Sequence, residues 1–127
     1  MRRSGLFPRF LLSAALLTAF SVPVRAAVAP AAVTDLRVLS IVSTGLGASS
    51  MTVTLAWTAP GEEGATGTLN NSTFTIKYSS TTPILSEADF SNANFTLNIA
   101  TNNIEPGSLQ SVSIPYLDAA ATHYFLL

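Results

Sequence analysis

Cysteine is missing from the chain. That excludes a disulfide scaffold, thiolate metal sites and a cysteine nucleophile. Histidine occurs once, at His123, so a metal site with two imidazole ligands is excluded too. Charge is scarce and uneven: six cations and seven carboxylates in 127 residues. Arg2, Arg3, Arg9 and Arg25 all lie in the first 25 positions, and no acid precedes Asp35. From position 27 onward Arg37 and Lys77 stand against all seven carboxylates, a balance of −5. An acidic body with two cations argues against nucleic acid and against anionic lipid as partners. Long 3.6-residue periodicity is also lacking, and no internal repeat is visible.

What the N-terminus does have is an ordered change of composition. Three arginines without an acid occupy Met1 to Arg9. An uncharged, mostly apolar run follows from Phe10 to Phe20, and small residues with Pro23 follow that. This is the order of a secretory signal peptide. The apolar run is shorter than the roughly 20 residues of a permanent membrane span, so none is expected after cleavage. Val24 and Ala26 are the small residues before the best cleavage point, making 1–26 the signal. Ser4-Gly5 after the arginine pair argues against twin-arginine export, and the missing cysteine excludes a lipoprotein anchor. The expected location is secreted, extracellular or in the cell envelope.

Cleavage after Ala26 leaves 101 residues. Positions 27–32 are rich in Ala and Pro and read as a linker. Beyond them, alternation with period two dominates, the mark of half-buried strands. Met51, Val53, Leu55 and Trp57 share one face. Phe74, Ile76 and Tyr78 share another, and Phe95 to Ile99 alternates as well. Gln110, Val112, Ile114 and Tyr116 are in phase. A looser strand is expected over Val33 to Ile41, with Leu36 and Val38 in phase. A last one begins at Thr122, with Tyr124 and Leu126 in phase. Turn chemistry separates them: Thr44 to Ser50, Ala59-Pro60-Gly61, Gly64 to Asn71 and Pro106-Gly107. The one stretch of helical character is Ser86 to Ala93, with Ser86 placed to cap a turn and Asp89 three residues on. Six short strands between turns predict an all-β sandwich. Its core is expected at Trp57, Phe74, Tyr78, Tyr124, Leu36 and Leu55.

Few residues suggest chemistry. His123 with Asp118 and a serine would make a hydrolytic triad only beside a strained nucleophile turn and an oxyanion hole. No G-x-S-x-G is present, so an outward strand residue is the simpler reading. Glu62-Glu63 in a Gly-rich loop reads as solvated. With Asp35 the pair falls short of the 6–8 oxygens of a calcium site, and no D-x-D-x-D spacing supports one. Asn70-Asn71-Ser72-Thr73 and Asn94-Phe95-Thr96 contain glycosylation sequons, read here as polar loop residues. Gly45 to Gly47 is too short to cradle phosphate. No catalytic residue, cofactor or metal is expected.

Four segments in order resemble a fibronectin type III domain. They are Ala32-Val33-Thr34-Asp35-Leu36, Val53 to Gly64 (VTLAWTAPGEEG), Phe74 to Ser79 (FTIKYS) and Thr122-His123-Tyr124. The resemblance runs from about Pro30 to the end. It implies an immunoglobulin-like sandwich with Trp57 on the second strand, Tyr78 on the third and Tyr124 as the corner tyrosine. Leu117 to Tyr124 is one residue longer than the family's spacing and lacks its proline. The family carries no shared catalytic residues, so the resemblance implies a noncatalytic spacer or adhesion module of a larger secreted or surface protein. Its partners would be protein or glycan, met through a weak surface. The alternative is an N-terminal accessory domain of a secreted hydrolase. The family's pattern extends past the corner tyrosine, so further strands are expected beyond Leu127, from the same reading frame or from a partner by strand addition.

Overall fold

The computed structural model describes residues 27–44 and 49–127. The expected signal segment and the Gly45–Gly47 turn lie outside the described residues. The described chain folds into six strands and one short helix: β1 (Arg37–Thr44), β2 (Ser50–Thr58), β3 (Thr73–Ser79), α1 (Glu87–Asn92), β4 (Phe95–Ala100), β5 (Leu109–Asp118) and β6 (Tyr124–Leu126). They form two three-stranded sheets, ordered β1-β2-β5 and β4-β3-β6, with every pairing antiparallel. The fold is all-β, as the alternation requires.

The two sheets share one core because each central strand turns its apolar face to the other sheet. Val53, Leu55 and Trp57 of β2, Phe74 and Ile76 of β3, and Ile114 and Leu117 of β5 are buried together. Trp57 and Phe74 meet edge to face, ring centres 5.2 Å apart at 73°, a geometry worth about 1 kcal/mol beyond the area it buries. Leu36 and Tyr78 are half-buried against this cluster. Polar cross-strand pairs tie the outer faces: Thr54 to Ser113 at 2.9 Å and Thr75 to Asn98 at 3.0 Å.

Two bulges decide which side chains face the core. In β1 the register shifts between Val38 and Ser40, so Leu39 is the extra residue. In β5 Ile114 pairs with Val53 and Leu117 with Met51, which sets Pro115 and Tyr116 together opposite Thr52. One extra residue reverses the alternation. Leu117 therefore points inward, and Tyr116 is 84% exposed with φ at +61°. The expected phase of Tyr116 with Ile114 fails for that reason. β6 departs through its register with β3. Phe125 lies opposite Tyr78 and packs against the core, whereas Tyr124 lies opposite Ser79, half-buried and outside the cluster. The corner tyrosine expected in the core is replaced there by its neighbour.

β1 starts later than expected and is an outer strand. Val38 and Ile41 lie opposite Leu55 and Val53 and so share their face, yet they are 50% and 61% exposed. The opposing sheet does not reach under them. The Ala/Pro stretch 27–32 is held by backbone bonds to the 61–67 loop: Ala31 N–H donates to the Gly64 carbonyl and Gly64 N–H to that of Ala29. That loop needs its glycines. A Cβ on Gly61 would overlap the backbone N, C and O of Thr66. Gly64 has φ of +67°, which a side chain resists. The helix is six residues long and begins at a reciprocal cap. The Ser86 hydroxyl accepts from Asp89 N–H and donates to Asp89 Oδ2, which also accepts from Leu85 N–H.

Candidate functional site

The acidic candidates resolve into structural contacts. Asp35 is fixed by Thr58, whose N–H and hydroxyl donate to its two carboxylate oxygens at 3.0 and 2.6 Å, with Arg37 at 3.3 Å. These bonds, the Thr58 hydroxyl first, hold the Asp35 carboxyl below the ordinary aspartate range. Its oxygens pin the start of β1 to the end of β2. Glu62 and Glu63 donate their N–H groups to the Gly67 and Thr66 carbonyls, closing a tight hairpin loop. Among the described residues no three His, Cys, Asp or Glu side chains are grouped as metal ligands.

His123 meets Asp118, but through the backbone. Its Nε2 lies 2.9 Å from the Asp118 carbonyl oxygen, to which Nε2–H donates. The Asp118 carboxylate instead accepts from Ala120 N–H at 2.8 Å. A triad needs the carboxylate on the imidazole, and here it is committed to capping the β5–β6 turn. The sequons differ in availability. Asn70 is engaged at both ends of its amide, by Asn103 N–H at 2.7 Å and the Thr68 carbonyl at 3.4 Å. Asn94 is exposed.

A cluster of aromatic rings lies at one end of the second sheet. Phe95, Tyr78 and Phe125 occupy directly opposed positions on β4, β3 and β6. The pairing places all three on one face, one ring per strand. Tyr78 stacks on Phe95 at 4.7 Å and 9°, and meets Phe125 at 5.7 Å and 34°. The β5 bulge brings Tyr116 to the same end. Tyr78, Phe95, Tyr116, Ser80, Asp118 and His123 line a cavity of about 280 Å³. Phe95 is 44% exposed. The alternation marks Tyr78 and Phe95 in the sequence. It places Tyr116 in phase with Ile114, on the wrong face, because its position depends on a bulge. A second cavity, of about 490 Å³, lies between residues 31–35 and the β2 end with Pro106-Gly107. Its only carboxylate neighbour, Asp35, is already spent on Thr58 and Arg37.

Comparison with protein-family models, with curated proteins and with solved structures gives no match.

Proposed function

We propose that the chain is a noncatalytic extracellular module of the fibronectin type III-like, immunoglobulin-like sandwich class, exported by its first 26 residues. Within a larger secreted or surface protein it would serve as spacer and adhesion unit. The observation that carries this reading is the division of the strands. First, second and fifth stand against third, fourth and sixth, around Trp57 on the second. Two facing antiparallel sheets around one core support a sandwich of this class, and Trp57 lies on the second strand and Tyr78 on the third, where the resemblance expects them. The lone histidine and the acidic residues treated above are bound into turns and strand junctions, which suits a structural module. The Thr-, Ser- and Asn-rich strand surfaces suit weak contacts with protein or glycan.

The test is export followed by a functional assay. The full reading frame is expressed with its own N-terminus, and the exported product is sequenced from its amino end. The expected product starts at Ala27 outside the cytoplasm, and it turns over no peptide, ester or glycoside substrate. Retention of Met1 in a cytoplasmic product, or turnover that survives purification to homogeneity, overturns the reading.

A further inference from the structure

We propose that the cavity at the β5 bulge is a saccharide-binding site, taking one neutral pyranose ring against the exposed faces of Tyr116 and Phe95. This rests on the adhesive reading above and names its ligand class.

Three observations carry it. The first is strain. Tyr116 has φ of +61°, a region bulky side chains rarely enter. Such outliers persist where the surroundings enforce them, and they cluster at ligand sites. Here the bulge at Pro115-Tyr116 carries Leu117 into the core and leaves the Tyr116 ring 84% exposed, open to a ligand. The second is shape. The cavity of about 280 Å³ is the size of a single ring, not of a long groove. A polyproline helix needs an extended row of aromatic ridges. A pyranose needs one or two flat apolar faces for its axial C–H groups and polar atoms at the edge for its hydroxyls. The Tyr116 ring, 84% exposed, supplies one face, and Phe95, 44% exposed with one face covered by Tyr78, borders the same cavity. Ser80, Asp118 and His123 are the polar residues of the lining, and the Asp118 carboxylate also accepts from Ala120 N–H. The third is charge. The lining holds Asp118 and His123 and no Lys or Arg, which among saccharides disfavours the anionic ones.

The experiment is amide chemical-shift mapping on the full chain, titrated into the millimolar range with three probes. Two are β-linked tetrasaccharides, one of glucose and one of N-acetylglucosamine, and the third is a proline hexapeptide. The expected result is saccharide-induced shifts confined to residues 78–80, 95 and 116–123. Tyr116→Gly should weaken that binding about tenfold or more, while Tyr116→Phe keeps it. Tyr116→Gly should also raise the melting midpoint, since glycine relieves the strained backbone and no buried contact is lost. A folded Gly variant that binds as wild type overturns the proposal. So does silence with both saccharides, or shifts elsewhere on the molecule. Shifts at the cavity with the proline peptide alone overturn the ligand class and leave the adhesive reading standing. Failure of export in the preceding test strikes that reading and not the cavity.

Discussion

Trp57 offers the sharpest test of the core, because its indole carries both the largest buried area and an unpaired donor. The residue is 1% exposed, and its Nε1 is buried without a hydrogen-bond partner. Replacing it by Ala removes the ring and leaves a void. That costs about 3–5 kcal/mol, a large part of the roughly 5–15 kcal/mol that holds a domain of this size. Replacing it by Phe is a different perturbation. A phenyl ring keeps much of the contact with Phe74, and the smaller volume costs about 1–2 kcal/mol. The substitution also deletes the orphaned N–H, whose burial costs about 1–3 kcal/mol. The two contributions offset, so Trp57→Phe should lie within about 1 kcal/mol of the parent. Trp57→Ala should lose about 3–5 kcal/mol, and its urea midpoint should fall in proportion. Urea unfolding followed by far-ultraviolet circular dichroism reads both, since the intrinsic tryptophan signal is lost in each variant. An unchanged slope shows that only stability has moved. If the Phe variant falls with the Ala variant, the indole N–H is paired and the account of this core is wrong.

Two further outcomes concern the loops and the acid limb of stability. Gly61→Ala should cost at least about 2 kcal/mol, because its Cβ would meet backbone that cannot step aside. The exposed neighbour Glu62→Ala should stay within about 0.5 kcal/mol, and thermal melts of the pair separate a steric effect from a general loop effect. Asp35 and Asp89 both titrate below the ordinary aspartate value, held there chiefly by the Thr58 and Ser86 hydroxyls. A lowered folded value stabilises the ionised form. That stabilisation is complete above about pH 4 and is lost as the pH falls through the lowered values. Asp35→Asn and Asp89→Asn should therefore flatten the fall of melting temperature in acid. A profile parallel to the parent's would show that these bonds add nothing.

Much of the scaffold can be read from the order of residues, and the reasons for the gaps are specific. β2, β3 and β4 follow strict alternation, since each is fixed by what lies on its two faces. The Ser86–Asp89 cap is a contact within four residues, so local sequence suffices for it. β1 was expected over Val33 to Ile41 and runs from Arg37 to Thr44. Its limits are set by pairing with β2 and by the Asp35–Thr58 contact, which joins residues 23 positions apart. The phases of Tyr116 and Tyr124 depend on bulges and cross-strand register, which a one-dimensional pattern does not carry. The cavity at the β5 end is hidden for the same reason. Its tyrosine and phenylalanine rings come from three strands, and the bulge in one of them turns Tyr116 out of the phase its alternating run predicts.

The extra residue in β5 has a bearing on how this molecule can change over time. Ile114 and Leu117 anchor the strand from either side, and the two positions between them lie outside the buried cluster. Substitutions at 115 and 116 therefore meet the solvent before they meet the fold. A lineage could vary the side chain at 116 within what its positive φ admits, while the buried residues on either side stayed in place. The arrangement separates the part of the chain that must be preserved from the part that is free to explore.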